Sequence, residues 1–323
     1  MRRFAILALL TALVLPLMAQ QRHTVAYREV EGKTLQLDHY PATSNVRANA
    51  EGKRPCVMFL FGGGFASGAR DRERYMPYFE MLSREGCDVI SIDYRLGLAQ
   101  LAAQSAEERP KMGIRDAIAM MTRSVNYAAE DALHATAFVL ERAEAWGIDP
   151  SRIVISGSSA GAIASLQAEY YICNASPLAQ VLPRGFNYAG VIAFAGAIYS
   201  TSGAPRWRGT PCPMLLFHGT SDGNVPYAKA SIFGIGMWGA ASVVGWLERM
   251  DVPYHFYSVR YGTHALAETP MRDKHAEILA FIDEHVTRGS KTQRRSEVYD
   301  LAGEVRKERF SVRDYLTNNY SGK

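Results

Sequence analysis

The segment Arg152-Ile153-Val154-Ile155-Ser156-Gly157-Ser158-Ser159-Ala160-Gly161 constrains this chain more than any other. A short apolar run leads into Gly-x-Ser-x-Gly, and a helix-compatible run from Ala162 to Tyr171 follows. That order predicts a strand, a sharp turn and a helix, with Ser159 exposed on a strained backbone. Gly157 and Gly161 fit positions where a side chain would crowd the neighbouring strand or helix. Ser159 then sits at a helix N-terminus, where unpaired N–H groups and the helix dipole favour developing negative charge. Five residues of this pattern also arise by chance in loops rich in glycine and serine, so the surrounding elements decide its meaning.

The runs around it are those of an open, mostly parallel sheet. Cys56–Phe61 is a continuous apolar run, as expected of a strand buried on both faces, Asp88–Tyr94 reads as another buried strand, and Ile153–Ser156, Val191–Ala195, Met214–His218 and Tyr254–Val259 read as further strands. Helical patterns separate several of them: Tyr75–Arg84, Ile114–Trp146 (one helix or two abutting), Ala160–Tyr171, the glycine-punctuated stretch Ser231–Met250, and Lys274–Val286. Buried strands alternating with helices predict an α/β fold with helices on both faces. His23–Tyr40 alternates around Glu31-Gly32-Lys33 and reads as a hairpin adding antiparallel strands at one edge.

With 323 residues, 48% of them hydrophobic and 21% charged, the composition is that of a globular protein with a sizeable core. Met1-Arg2-Arg3, an apolar stretch from Phe4 to Met18 and the small residue Ala19 read as a secretory signal, residues 1–19. The apolar stretch is shorter than the roughly 20 residues a spanning helix needs. Export, periplasmic or secreted, without stable membrane insertion is therefore expected. The division that follows is a catalytic domain over 20–288 and a charged extension over 289–323, read as a solvated surface helix or a disordered end. The tail from Arg288 holds nine basic and five acidic residues, a net +4, and Arg2 and Arg3 add +2, so of the formal +4 the rest of the chain carries −2. No basic face interleaved with aromatics points to nucleic acid. Cys56, Cys87, Cys173 and Cys212 match no disulfide framework or zinc site; a Cys56–Cys87 bridge and buried free thiols are both open. No His-Glu-x-x-His or comparable metal constellation is present, and no cofactor is expected.

A serine hydroxyl needs a base, a group to orient that base, and donors for an oxyanion. In this architecture the partners follow in the order serine, acid, histidine. Asp222, in Gly219-Thr220-Ser221-Asp222-Gly223, stands just past the strand Met214–His218 and is the candidate acid. His264, in the loop after Tyr254–Val259, is the candidate base. His218 is only four residues from Asp222 and reads as a structural hydrogen-bonder; His255, His275 and His285 lie on a strand or on the last helix. Ala160 and the loop Phe61-Gly62-Gly63-Gly64-Phe65 are candidates for the oxyanion hole, with Gly63 the first donor and Gly64 the next. A phosphate loop is the competing reading, but no Gly-Lys-Ser/Thr follows the glycines.

With those positions filled, the chain resembles the α/β-hydrolase superfamily, and within it small exported esterases. These are the bacterial feruloyl/acetylxylan group, the hormone-sensitive-lipase group and the core of type-B carboxylesterases. The resemblance rests on Leu35-Gln36-Leu37-Asp38-His39-Tyr40-Pro41, Gly62-Gly63-Gly64-Phe65-Ala66-Ser67-Gly68, Asp93-Tyr94-Arg95-Leu96 and Trp146-Gly147-Ile148-Asp149-Pro150-Ser151-Arg152-Ile153. Phe61 stands where many relatives have histidine, and Asp222 where type-B esterases use glutamate. The resemblance implies a serine esterase acting on carboxylic esters, carried by small molecules or by polysaccharide as acetyl or feruloyl groups. A lipase, a peptidase of the same fold and a non-catalytic binding module are the alternatives. Phe65, Trp207, Tyr227 and Trp238 are candidates for an aromatic wall beside the site.

Overall fold

The structure, a computed structural model, describes residues 21–104, 113–300, 307–311, 313–314 and 317–318. The expected export segment, 1–19, lies outside the described residues. Twelve strands are described: β1 (His23–Val30), β2 (Lys33–Tyr40), β3 (Arg54–Leu60), β4 (Asp88–Ile92), β5 (Ile148–Ser158), β6 (Gly190–Phe194), β7 (Ala197–Ser200), β8 (Met214–Gly219), β9 (Lys229–Ile232), β10 (Ile235–Gly239), β11 (Tyr254–Arg260) and β12 (Gln293–Tyr299). The helices are α1 (Met76–Arg84), α2 (Ala99–Ala102), α3 (Ile114–Trp146), α4 (Ala160–Cys173), α5 (Ala240–Arg249), α6 (Pro270–Asp273) and α7 (His275–Phe281).

Nine strands form one sheet in the order β1-β2-β4-β3-β5-β6-β8-β11-β12. The β1–β2 hairpin is antiparallel and joins β4 antiparallel, and every later pairing is parallel. The α/β architecture and the edge hairpin are as the sequence predicts. Strands β3, β4, β6 and β8 are buried along almost their whole length because helices cover both faces. Phe194 of β6 stacks on Phe217 of β8 at 5.4 Å between ring centroids, and Tyr78 of α1 meets Phe194 edge-on at 5.7 Å. Residues Ala160 to Glu169 of α4 are all buried, so this helix runs through the core rather than over it.

Two expectations are corrected. Ser231–Met250 is not one helix: β9 and β10 form a hairpin, with Phe233 and Gly234 both at positive φ in its turn, and only α5 is helical. With β7 this hairpin makes a second, antiparallel sheet of three strands. The charged extension is neither a surface helix nor a loose end over 293–299, because β12 pairs in parallel with β11 from Tyr254↔Gln293 to Arg260↔Tyr299. Polar side chains suit it, since this strand closes the sheet edge and stays exposed.

All four cysteines are free, so Cys56 and Cys87 do not form the bridge left open. Burial raises the thiol pKa of both, that of Cys87 to about 12, which keeps them protonated and inert. No helix among the described residues is long and apolar enough to cross a membrane.

Candidate active site

The sheet delivers the candidate residues to one end. The loops after β3, β5, β8 and β11 leave the carboxyl ends of neighbouring parallel strands, where such folds gather their chemistry. At the turn after β5, Ser159 has φ 52° and ψ −116°, a conformation held by the sheet: its N–H donates to the carbonyl of Phe194 at 2.9 Å. The flanking glycines are required by contact. A Cβ on Gly157 would lie 2.3 Å from the Gly161 backbone, and one on Gly161 would lie 2.1 Å from the Leu60 carbonyl oxygen.

Ser159 Oγ lies 2.8 Å from His264 Nε2, and His264 Nδ1 lies 2.8 Å from Asp222 Oδ2. The structure thus brings together the three residues that the sequence placed on three separate loops. With Nδ1–H donating to the carboxylate, Nε2 offers its lone pair to the serine hydroxyl. Asp222 is buried, and its Oδ1 accepts the N–H groups of Asn224 at 2.8 Å and Val225 at 2.9 Å. Burial works to raise its pKa. Hydrogen bonds and charge from His218 and His264 outweigh that and hold the carboxyl well below its ordinary range. An ionised acid, an oriented imidazole and a hydroxyl in line can activate that hydroxyl as a nucleophile.

His218 takes the structural role read for it, with a partner the sequence does not identify. Its Nε2 lies 3.3 Å from Asp222 Oδ2 and 3.2 Å from the Val225 carbonyl oxygen. Both neighbours are acceptors, so Nε2 carries the proton and shares it between them.

The loop Gly62–Gly68 is set by Tyr75 and Tyr94, aromatic residues to which the sequence assigned no such role. The Gly62 N–H donates to Tyr75 Oη at 3.0 Å, and Tyr94 Oη donates to the Phe61 carbonyl at 2.7 Å while its ring stacks on Phe61 at 4.4 Å. The Gly63 carbonyl accepts from Ala66 and Ser67, which folds the loop back on itself. Gly63 has φ 143°, and a Cβ there would lie 1.9 Å from the Ser67 carbonyl oxygen; Gly64, at φ 63°, faces open space. Ala160 opens α4, where the first N–H groups have no intrahelical acceptor. Arg70 fastens the loop's far end to the sheet through Asp38 at 3.1 Å and Asp93 at 2.6 Å. The sequence places Tyr75 at the start of a helix and Tyr94 in the segment Asp93-Tyr94-Arg95-Leu96, and neither position signals a bond to the glycine loop.

The four candidate wall aromatics pack against other side chains of the fold. Phe65 and Trp238 are buried, Trp207 packs edge-on against Tyr170 at 5.2 Å, and Tyr227 stacks on Phe256 at 5.9 Å. The tail also reaches the acid loop, with Glu308 accepting from Thr220 Oγ1 at 2.7 Å and Asn318 donating to the Gly223 carbonyl. Away from this end, His255, Glu284 and His285 converge with ligand atoms within 4.8 Å of one another, a grouping that no sequential metal motif signals.

Comparison with known proteins bears on the family pattern and the fold. Residues 23–170 match the carboxylesterase family. Esterase B1 of Culex pipiens is 34% identical over 114 residues, which are 35% of this chain and 18% of that protein. Fumonisin B1 esterase of Sphingopyxis macrogoltabida is 31% identical over 118 residues, 35% of this chain and 19% of that one. The matches therefore span less than a fifth of these relatives' length. Among solved structures, Thermogutta terrifontis esterase 2 with propionate bound superposes with a TM-score of 0.56 at 20% identity, covering 81% of this chain and 94% of that one. The chain has the α/β-hydrolase fold of these esterases, and its residues 23–170 carry the sequence pattern of the carboxylesterase family.

Proposed function

We propose that this protein is a serine esterase that hydrolyses carboxylic esters through an acyl-enzyme. The observation that carries the reading is the hydrogen-bonded line from Ser159 through His264 to the buried Asp222, with 2.8 Å at each step. Ser159 Oγ attacks the ester carbonyl carbon as its proton passes to His264 Nε2. The N–H groups of Gly63, Gly64 and Ala160 receive the oxyanion. As the tetrahedral species collapses, the C–O bond to the alcohol breaks and the imidazolium returns its proton to the departing oxygen. Water, deprotonated by His264, then attacks the acyl carbon and releases the acid and the Ser159 hydroxyl. Asp222 keeps the imidazole in the productive tautomer and offsets its charge.

On the substrate side, the reading is a small or carbohydrate-linked ester, acetyl or feruloyl, met outside the cytoplasm after loss of residues 1–19. The resemblance to exported esterases and the apolar amino-terminal stretch support it. Thermogutta terrifontis esterase 2 is known with propionate and with butyrate bound, which makes short acyl groups the first to assay.

The test is hydrolysis of 4-nitrophenyl acetate and butyrate by the wild type and by Ser159→Ala. The variant is expected to fold normally and to lose roughly 10⁴-fold or more in kcat. A fluorophosphonate is expected to add its mass to the Ser159 peptide alone. Equal activity in the variant would overturn the assignment. A panel of acetylated xylan, methyl ferulate and a dipeptide amide then ranks the substrate classes. Mass measurement of the exported protein, with Gln20 expected as its first residue, tests the leader.

A further inference from the structure

At the end of β11 opposite the His264 loop, we infer a site for a divalent transition metal, with Zn²⁺ the best match. Its ligands are His255 on β11 and Glu284 and His285 in the turn that extends α7, where hydrogen bonding widens to the i→i+5 pattern over Ile282–Thr287.

His255 Nε2 lies 3.0 Å from His285 Nε2 and 3.1 Å from Glu284 Oε2. Two imidazole nitrogens face each other at a distance that, without a metal, is bridged by a single proton. In tetrahedral coordination with bonds of about 2.0–2.1 Å, ligand atoms are separated by about 3.3 Å. The three ligand atoms already lie within 4.8 Å of one another, so a rotation of the Glu284 carboxylate brings all three to one centre. Both histidines are more than nine-tenths buried, which takes their donor atoms out of competition with bulk water.

The surroundings fit a metal ligand set. His285 Nδ1 lies 2.8 Å from the Ser290 carbonyl oxygen. That contact fixes the proton on Nδ1 and leaves the Nε2 lone pair directed at the site, as a backbone carbonyl does behind many metal-bound histidines. The Phe281 ring packs against both imidazoles, at 5.8 Å and 5.2 Å, and makes one wall apolar. Arg294 of β12 is the charged group facing the site, 3.2 Å from Glu284 Oε1. It neutralises the carboxylate in the absence of metal and must give it up, wholly or in part, to the ion. Two imidazoles and one carboxylate are the ligand types of zinc, and softer thiolate-seeking ions are disfavoured.

Three protein ligands leave the fourth position to water, and the site's place in the fold gives it a structural role. It fastens the last core helix to β11 next to β12, at the sheet end away from Ser159. The bound ion would stabilise the folded chain without entering the ester chemistry.

The test starts from full-length protein stripped with EDTA and dialysed, titrated with ZnCl₂ in a calorimeter and heated with and without the ion. One equivalent is expected to bind, and Tm to rise by about 5 °C at a hundredfold excess over Kd. Co²⁺ in place of Zn²⁺ is expected to give the visible absorption of a tetrahedral centre. Glu284→Gln keeps the shape and a hydrogen bond, and is expected to weaken binding at least about tenfold; His285→Asn is expected to abolish it. His264→Ala binds as the wild type does, which separates this site from the triad histidine. Binding that is absent from the wild type, or as tight as the wild type's in Glu284→Gln and His285→Asn, would overturn the inference and leave the three residues as a hydrogen-bonded cluster only.

Discussion

His218 Nε2 lies 3.3 Å from Asp222 Oδ2, the same oxygen that His264 Nδ1 contacts at 2.8 Å. One carboxylate oxygen thus serves two imidazoles, and the other takes two backbone N–H groups. The arrangement fixes the acid from below while leaving its outer face to His264.

His218→Leu removes one of these donors. The Asp222 pKa is depressed in the folded protein, so its bonds stabilise the fold above the unfolded value of 3.8 and that contribution is lost as pH falls through the lower folded value. Without His218 the folded value moves up and the loss begins at higher pH. The expected result is a kcat about tenfold lower with KM unchanged, and an acid limb of stability shifted upward. His218→Gln, which restores an N–H donor, should recover part of both. A variant indistinguishable from wild type in its acid unfolding midpoint would remove His218 from this role.

The two candidate donor glycines should respond differently to alanine. At Gly63 the new Cβ meets the Ser67 carbonyl oxygen at 1.9 Å, and φ 143° is closed to alanine, so the loop must break. Gly64 at φ 63° meets nothing within 4 Å and pays only the left-handed cost of about 1–2 kcal/mol. Gly63→Ala is expected to lower kcat/KM at least about a hundredfold, on the scale of a lost oxyanion donor. Gly64→Ala should stay within about tenfold. Kinetics on 4-nitrophenyl butyrate, with circular dichroism as the folding check, decide between them.

Glu169 on α4 is buried, and burial raises its pKa against hydrogen bonds from the Cys212 N–H at 2.8 Å, Cys173 and Asn187. Because the folded value lies above the unfolded one, its contribution to stability is complete below pH 4.5 and is lost as pH rises through the folded value. Wild-type Tm should therefore fall between acid and neutral pH by more than that of Glu169→Gln, which cannot ionise. Parallel melting curves for the two proteins check this, and equal slopes would refute it.

The legible parts of the fold were those where burial writes itself into residue type. Strands β3, β4, β6 and β8 are largely apolar because both faces are covered; Asp222 could be placed because it follows β8, and His264 because it follows β11 and precedes the last core helix. β12 could not be read: its Gln293-Arg294-Arg295-Ser296-Glu297 start has the polarity of an exposed edge and gains its order from backbone pairing with β11. The β9–β10 hairpin was hidden because Phe233, 94% exposed, and its apolar neighbours mimic a helix core, while the turn depends on positive φ at Phe233 and Gly234. The convergence of His255 with His285, thirty positions apart on a strand and a helix end, has no local pattern at all.

A chain ending at Thr292 tests what β12 contributes. The strand is mostly exposed, so its removal costs little apolar burial. It does cover β11, where Arg295 lies over the Phe256 ring at 5.5 Å, and it keeps the backbone of β11 from being a free edge. Phe256 and Tyr254 of β11 are buried, so the uncovered edge would be apolar and straight, the kind that pairs with another chain. The truncated protein is expected to fold, to retain esterase turnover within about tenfold, and to self-associate in a concentration-dependent way. Light scattering and size-exclusion chromatography across a range of concentrations measure this. Monomeric behaviour equal to that of the full chain would show that β11 tolerates an open edge and that β12 serves only to lead the tail toward Thr220 and Gly223.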